Sequence, residues 1–311
     1  MAHPRDIATG IAATLLVFAT ILMLPIIGFF CAMLLPLPVL FYRVKCGRKP
    51  ALIIAGVSAA IMAAVLGSAA VDMVVFVELL LIGLVLGGLY PRGYSVEQTL
   101  LSASAAALGA AIAGLLVFSV ASGMGPVELI STYVAQNLRV TLDVYRQMGM
   151  SIETVERIEG SLDQIRFVLV RILPSLAAAG ALIVSWACLL LSRPMLRRRG
   201  LPVPDFGALN RWRAPEPLVW GAIAFGAMLL VPLQGVKIIG MNGVIVLMTV
   251  YFFQGIAIVS FFFEKKQLPV ALRFILYSLI AIQQLLLLVV IGCGFFDMWL
   301  NFRKLETNRS E

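Results

Sequence analysis

The chain has 311 residues, of which 61% are apolar and only 13% are charged, and its mean hydropathy is +1.00. Ordinary soluble domains are about 45 to 50% apolar and about 25% charged, so this composition excludes a soluble globular protein. The net charge of +8 does not indicate a nucleic-acid partner, because the bases cluster in loops between apolar runs, where they report membrane orientation. The sequence predicts an integral membrane protein.

Side chains that commonly hold metals or carry catalysis are sparse. Four cysteines are scattered without a CxxC pair, and the single histidine, His3, lies in the N-terminal tail. Neither a disulfide framework nor a zinc site is indicated. Because the sequence also lacks a nucleotide-binding loop and a hydrolase motif, we expect no cofactor, no metal, no catalytic residue and no enzymatic activity.

Apolar runs of the roughly 20 residues that a membrane helix needs recur along the chain. They predict an all-α fold, a polytopic transmembrane helical bundle of about eight or nine spans with one helical extramembrane insertion. The first two spans form one run of about 36 residues, which would make a helix of about 54 Å against a hydrocarbon core of about 30 Å. Pro25 and Gly28 predict a break there, and a re-entrant pair of half-helices is the alternative. The predicted spans are 7–24, 26–43, 51–69, 71–90, 98–122, 167–192, 217–234, 240–263 and 270–296.

Three regions follow from these spans: an N-terminal bundle of about five spans (1–122), an amphipathic helical cap expected on the extracytoplasmic side (123–166) and a C-terminal bundle of about four spans (167–311). In the cap, Pro126 predicts the start of one helix and Gly149 its end. Ser151 predicts the N-cap of a second helix whose apolar stripe runs directly into the next span. The cap either lies on the bundle or membrane surface or forms a lid over an outward-facing binding site.

The distribution of bases predicts a multi-pass protein of the bacterial inner membrane with a cytoplasmic N-terminus. With that orientation, fifteen bases lie inside and eight outside, and the run "RPMLRRRG" (193–200) is the strongest local signal. Nine spans then place the C-terminal "FRK" (302–304) outside, against the rule. Either one span is miscounted or the last helix does not fully cross.

Two charged side chains lie inside predicted spans. Glu78 lies about 12 Å and Arg171 about 7 Å from the same membrane face, at about 1.5 Å per residue. A charge at membrane depth costs roughly 2.5 to 3.5 kcal/mol on insertion scales unless it is paired or hydrated. The two side chains could form a structural ion pair or handle a ligand or proton, or Glu78 could be protonated and unpaired.

Buried amides supply further polarity, namely Gln234, Asn242, Gln254, Gln283 and Gln284. Such groups either bond across helices or line a cavity for a small polar solute. Gln254 is the most informative, because Gly255 beside it permits close backbone approach. The candidate ligand-binding residues are therefore Glu78, Arg171, Gln254 and Asn242.

Small residues four apart predict faces where another helix approaches closely. The default interpretation is packing within the bundle, and docking of another membrane subunit is the alternative, with the first span as the candidate. These residues are Ala8 and Ala12, Gly83 and Gly87, and Ser102, Ala106, Ala110 and Gly114.

The segment "GCGFFDMWLNFRK" (292–304) ends the last apolar run with mixed chemistry. Asp297 falls where the hydrocarbon should stop, and Trp299, Phe302 and Arg303 follow at spacings that continue an amphipathic helix. We expect a membrane exit and a surface anchor there.

Six segments form a pattern along the chain: "PLPVLFYRVKCGRKPA" (36–51), "RILPSL" (171–176), "RWRAPEPLVWG" (211–221), "MNGVIVLMTVYFFQGIAIVSFFFEK" (241–265), "LPVALRFILY" (268–277) and "GFFDMWLNFRK" (294–304). In their order and spacing, these segments resemble the YybS-like family of uncharacterised bacterial membrane proteins. The resemblance implies mainly a fold: that family is distantly similar to the substrate-binding subunits of energy-coupling-factor transporters, which bind a solute and dock on a membrane coupling subunit. Ala8 and Ala12 could serve such docking.

Two functions from different classes remain open. The first is binding or transport of a small solute, for example as the specificity subunit of a larger transporter. The second is a non-transporting scaffold that recruits envelope or cell-surface proteins through its small-residue faces and its cap. The expected partners are the lipid bilayer and either a membrane coupling subunit or an envelope protein.

Overall fold

The structure is a computed structural model that describes residues 3–67 and 72–304. Every regular element among these residues is a helix, which confirms the predicted all-α class. Two short 3-10 helices, Tyr90–Arg92 and Leu209–Arg211, join longer ones. The α-helices are α1 (Pro4–Met23), α2 (Pro25–Ala32), α3 (Pro36–Cys46), α4 (Arg48–Leu66), α5 (Asp72–Leu89), α6 (Val96–Ser122), α7 (Pro126–Gln147), α8 (Ile152–Glu159), α9 (Leu162–Arg198), α10 (Pro217–Met228), α11 (Gln234–Lys265), α12 (Val270–Ile282) and α13 (Gln284–Leu300).

Six helices in the described part of the chain are long and apolar enough to cross a membrane, namely α1, α4, α5, α6, α9 and α11. The bent pair α12–α13 brings the number to seven if it counts as one span. The predicted count of eight or nine is therefore not confirmed. The shortfall arises because the predicted span 26–43 forms two short helices, α2 and α3, and the span 217–234 yields a helix of only 12 residues.

Two helix breaks have different sequence origins. The first apolar run breaks as predicted, since α1 ends at Met23 and Pro25 begins α2. The predicted span 270–296 is also broken: α12 and α13 meet at Gln283, whose φ of −91° and ψ of 107° are extended, and the chain bends there by 100°. Neither proline nor glycine stands at that second break, so no local signal predicted it.

Contacts divide the chain into two compact units. Unit 1 comprises Met1–Leu173 and Gly180–Asp205, and unit 2 comprises Pro174–Ala179 and Phe206–Glu311. Helix α9 contributes residues to both. The three regions predicted from the sequence are instead divided after residues 122 and 166, on either side of the predicted cap. These bounds stay a prediction.

Unit 1 is built on a close crossing of α3 and α5. A Cβ atom on Gly83 would lie 2.4 Å from the carbonyl oxygen of Pro36, and one on Gly87 would lie 2.9 Å from that of Leu40. Glycine alone permits this approach, because the obstacle is backbone. Around the crossing, an apolar core contains the buried residues Phe18, Leu35, Val39, Ile54, Met62, Leu79 and Leu80.

Hydrogen bonds within unit 1 join helix ends. Lys45 at the end of α3 donates to Asp6 at the start of α1 over 2.7 Å, and the hydroxyls of Tyr90 and Ser192 lie 2.7 Å apart. Tyr133 on α7 donates to Asp72, the first residue of α5. These contacts place the ends of α5 and α9 together and fix the cap beside the opposite end of α5.

The cap consists of the two predicted helices. Pro126 occupies the first turn of α7, the chain turns at Gly149 with a φ of +77°, and the hydroxyl of Ser151 accepts from the Thr154 amide at the start of α8. Arg146 then joins the two helices, because its guanidinium bonds Asp143 on α7 and Glu159 at the end of α8. The apolar stripe of α8 is interrupted at residues 160–161 before α9 begins.

Unit 2 is built on a second close crossing, between α11 and α13. A Cβ atom on Gly294 would lie 2.0 Å from the carbonyl oxygen of Tyr251, and one on Gly255 would lie 2.1 Å from that of Val290. Helix α10 packs beside this crossing through Val219 and Ala222. The crossing brings the polar residues of α11 and α13 against each other.

Candidate functional site

A buried carboxylate, Asp297 on α13, is the centre of the polar network in unit 2. Its side chain is fully buried, and its Oδ2 atom accepts hydrogen bonds from Arg303 at 2.8 Å and from Gln254 at 3.3 Å. The Nε atom of Arg213 lies 3.9 Å from the same oxygen. A buried carboxylate requires such partners, because removing a charge from water costs several kcal/mol.

Arg303 bonds the residues just after α13 to the segment that precedes α10. Its Nη1 atom donates to the carbonyl oxygens of Asn210 at 3.0 Å and Trp212 at 2.9 Å, while Nη2 donates to Asp297. Burial lowers the pKa of the Arg303 guanidinium from its ordinary value, although the hydrogen bond and charge of Asp297 act in the opposite direction. Arginine remains protonated in proteins, and its contact with Oδ2 of Asp297 has the geometry of a salt bridge.

Gln254 is held by contacts on both sides of its amide. Its Oε1 atom accepts from the backbone amide of Ala214 at 3.1 Å, and its Nε2 atom donates to Asp297. The neighbouring Gly255 lets α13 approach closely enough for this bond. The expected close approach beside Gln254 is therefore present, and the amide serves to join α11, α13 and the segment before α10.

The backbone after α13 returns toward the helix. Helix α13 ends at Leu300, and Asn301 adopts a left-handed conformation with a φ of +41°. The amide of Phe302 consequently donates to Oδ1 of Asp297 at 3.0 Å. The expectation that an amphipathic helix continues through Arg303 is wrong, because this turn reverses the chain and buries both Asp297 and Arg303.

Asn210 joins the end of α11 to the residues that follow α13. Its side-chain amide donates to Glu264 at the end of α11, and its carbonyl oxygen accepts from Arg303 just beyond α13. Asn301 adds a further contact to this region, with Arg213. Through Asn210, both ends of the segment 265–303, which contains the bent pair α12–α13, are therefore tied to the stretch before α10.

Glu78 and Arg171, the two charged residues predicted at membrane depth, lie in unit 1. Glu78 is half-buried on α5. Arg171 on α9 donates to the carbonyl oxygen of Phe167 at 2.9 Å, with its guanidinium 3.2 Å from the centre of the Phe167 ring. Within residues 3–67 and 72–304, none of the ion pairs joins Glu78 to Arg171.

Asn242 lies on α11, away from the Asp297 network. Its Oδ1 atom accepts from the backbone amide of Ser175 at 3.1 Å, and its Nδ2 atom donates to the carbonyl oxygen of Ile238 at 2.8 Å. Asn242 therefore bonds α11 to the part of α9 that belongs to unit 2. A role for Glu78, Arg171, Gln254 and Asn242 in ligand binding stays a prediction.

The small-residue faces differ in what they contact. Gly83 and Gly87 are buried against α3, whereas Ala8 and Ala12 are exposed on α1, which instead buries Gly10, Thr14 and Phe18. On α6, Ser102 is exposed, Ala106 and Ala110 are half-buried, and a Cβ atom on Gly114 would lie 3.1 Å from Val74.

Asp297, Arg303 and Arg213 were not among the candidate site residues predicted from the sequence. The available signal was an acid inside an apolar helix six residues before a base, with an asparagine between them that tolerates a left-handed turn. Arg213 lies 84 positions before Asp297 in the sequence, so only the fold brings the two together.

Comparison with known proteins identifies the family. A family model described as "Predicted membrane protein (DUF2232)" matches residues 11–298. The chain belongs to this family. The DUF2232 match includes both glycine crossings and Asp297.

The chain is also similar to the uncharacterised protein YybS of Bacillus subtilis (strain 168), with 24% identity over 311 residues that cover 97% of this chain and 99% of that protein. No solved structure matches. The resemblance to YybS-like proteins is confirmed, and the similarity to energy-coupling-factor subunits stays a prediction.

Proposed function

We propose that the protein binds or transports a small polar solute in the cytoplasmic membrane of a bacterium and has no catalytic role. The observation that carries this proposal is the bent pair α12–α13, whose two outer ends are both tied to Asn210. This tie favours a re-entrant hairpin over one broken span. Backbone that interrupts a helix at membrane depth is tolerated where it is buried in protein or lines a hydrated cavity.

The lengths of the two arms support a tip inside the bilayer. Helix α12 has 13 residues and α13 has 17, so the arms measure about 20 and 26 Å, less than the hydrocarbon core of about 30 Å. Gln283 and Gln284 form the tip, and both side chains are exposed. Two amides and an interrupted backbone suit a hydrated, solute-binding position and are costly against lipid.

The bases of unit 2 support a cytoplasmic C-terminus. Among residues 206–304, six bases lie just before α10 or just at or after the ends of α11 and α13, whereas only Lys237 lies near the start of α11. Under the positive-inside rule, the six-base end faces the cytoplasm. A re-entrant α12–α13 pair thus removes the conflict between nine spans and the basic C-terminal segment. The six are Arg211, Arg213, Lys265, Lys266, Arg303 and Lys304.

Thiol labelling tests the hydrated tip. In a variant without native cysteines, Gln283→Cys and Gln284→Cys should react with a small hydrophilic thiol reagent. Val289→Cys on α13, which is 60% exposed in the single chain, should face lipid and stay unreacted. Failure of both tip cysteines to react would overturn the hydrated hairpin.

Native mass spectrometry of the gently solubilised protein tests solute binding itself. A retained small molecule that is lost in Gln283→Leu/Gln284→Leu but kept in Val289→Leu would support a site at the tip. Equal retention in the two variants would place the molecule elsewhere.

Partner docking is the second candidate function. The exposure of Ala8 and Ala12 on α1 favours it, because the small residues used for packing within the unit are Gly10 and Thr14. A scaffold predicts a stable copurifying protein that is lost in Ala8→Leu/Ala12→Leu. The mass spectra described above distinguish this outcome from a retained solute.

A further inference from the structure

The C-terminal end of α9 carries an open groove with apolar and cationic halves. Its volume is about 410 Å³, and it is lined by Leu191, Pro194, Met195, Arg198 and Arg199. The spacing of these five positions places them on one face of the helix. Since the apolar residues come first along the chain, the groove changes from apolar to basic where α9 leaves the predicted span.

The basic half of the groove stands on an ordered helix end. The amide of Gly200, which has a φ of +64°, donates to the carbonyl oxygen of Arg197 at 3.1 Å. The amide of Leu201 donates to the carbonyl oxygen of Leu196 at 3.1 Å, and the Leu196 side chain is fully buried. This C-cap fixes the backbone that presents Arg198 and Arg199.

No acid in the described part of the chain pairs with the charges at this helix end. Across the described ranges 3–67 and 72–304, none of the ion pairs includes Arg193, Arg197, Arg198 or Arg199. The Nε atom of Arg193 is buried without a hydrogen-bond partner in the same part of the chain. Four guanidinium groups within seven residues repel one another, so an anion bound beside Arg198 and Arg199, the two that line the groove, is stabilised.

The groove lies at the depth of lipid headgroups. Leu191 is 45% exposed and falls in the last turn of the predicted span. Arg198 is seven residues farther, about 10 Å along the helix axis, while the headgroup layer is about 5 to 8 Å thick on each side. Because long basic side chains bend toward the interface, both arginines can reach a lipid phosphate.

We infer that this groove binds an anionic phospholipid, with its phosphate against Arg198 and Arg199 and an acyl chain against Leu191, Pro194 and Met195. A free phosphate ion would use only the basic half. The apolar half continues the surface of a membrane helix, where acyl chains already lie. The combination therefore fits a lipid better than a soluble anion.

Competition between two lipids tests this site. The full-length protein is equilibrated with equal amounts of phosphatidylglycerol and phosphatidylcholine, and the retained lipid is measured by native mass spectrometry. Each interfacial base contributes roughly a factor of five to anionic-lipid affinity, so Arg198→Gln/Arg199→Gln should lower retention of phosphatidylglycerol about 30-fold. Lys265→Gln/Lys266→Gln removes the same charge at the end of α11 but no residue that lines the groove, so it should lower retention far less. Equal losses in the two variants would overturn a specific groove.

A second variant separates the groove from the charge. Met195→Trp keeps every arginine but fills the apolar half, so it should also lower retention of phosphatidylglycerol, and unchanged retention would overturn the proposed acyl-chain contact. Excess inorganic phosphate should leave the lipid bound. Displacement by phosphate as effective as displacement by added phosphatidylglycerol would overturn the assignment to a lipid.

Discussion

The two units use the same helix crossing in different chemical surroundings. In unit 1, α5 crosses α3 on Gly83 and Gly87 within an apolar core, and polar side chains pair at helix ends. In unit 2, α11 crosses α13 on Gly255 and Gly294, and the crossing buries the ionic pair of Asp297 and Arg303. The difference indicates that close apolar packing stabilises unit 1, whereas unit 2 also depends on the pairing of its buried carboxylate and guanidinium groups.

The largest expected effect of a single substitution is at the buried charge of unit 2. Asp297→Ala leaves the guanidinium of Arg303 buried without its carboxylate, and breaking one side of a buried pair costs about 3 to 5 kcal/mol. The free energy of unfolding, measured by denaturant titration of the solubilised protein, should fall by that amount. The double variant Asp297→Leu/Arg303→Met should be less destabilised than Asp297→Ala, because it removes the fully buried charge of Arg303, while Arg213 is partly exposed and keeps its bond to Asn301. Equal stability of Asp297→Ala and the wild type would contradict the network.

The glycine crossings should respond alike in the two units. Gly294→Ala and Gly83→Ala each place a Cβ atom against a backbone oxygen, and such overpacking costs about 1 to 3 kcal/mol. The same denaturant titration measures both. Gly292→Ala is the control for α13, because a Cβ atom there meets no heavy atom within 4 Å. If Gly292→Ala destabilises as much as Gly294→Ala, loss of glycine rather than the crossing is responsible.

The smallest effect should come from a bond at a helix end in unit 1. Tyr133→Phe removes the hydrogen bond to Asp72, and because this bond is exposed to solvent, its loss should cost only about 0.5 to 1.5 kcal/mol. Hydrogen exchange of α7 should increase without global unfolding. No change in exchange would mean that this bond does not hold the cap.

The pH dependence of that bond has a definite sign. Burial, followed by the contact with Asp72, raises the pKa of Tyr133. Because the raised pKa favours the neutral hydroxyl in the folded state, the stabilisation is complete below the ordinary tyrosine pKa of about 10 and is lost as the pH rises through the folded-state pKa. The difference in exchange between wild type and Tyr133→Phe should therefore disappear only in strongly alkaline solution.

The sequence predicts features that depend on local chemistry. Pro25 ends a helix because it lacks an amide hydrogen, and Pro126, Gly149 and Ser151 define the cap for similar local reasons. The bend at Gln283 has no such residue. The sequence thus supports a membrane helical bundle and its cap, but not the short and bent helices that lowered the span count.

The polar network shows why the site was only partly predictable. Gln254 was identified because an amide beside glycine in an apolar helix is conspicuous, yet its partners come from Ala214 and Asp297, which are 40 and 43 positions away. The hydropathy of the last apolar run places Asp297 at a membrane exit, on the surface. The left-handed turn at Asn301, which buries it, depends on contacts that only the folded chain provides.

The side of the membrane on which Lys304 emerges tests the re-entrant hairpin most directly. In a variant without native cysteines, single cysteines at Lys237, Lys266 and Lys304 are labelled in sealed vesicles with a membrane-impermeant thiol reagent. We expect Lys304→Cys to be labelled from the same side as Lys266→Cys and from the side opposite to Lys237→Cys. Labelling of Lys304→Cys together with Lys237→Cys would make α12–α13 a complete span and contradict the proposed topology.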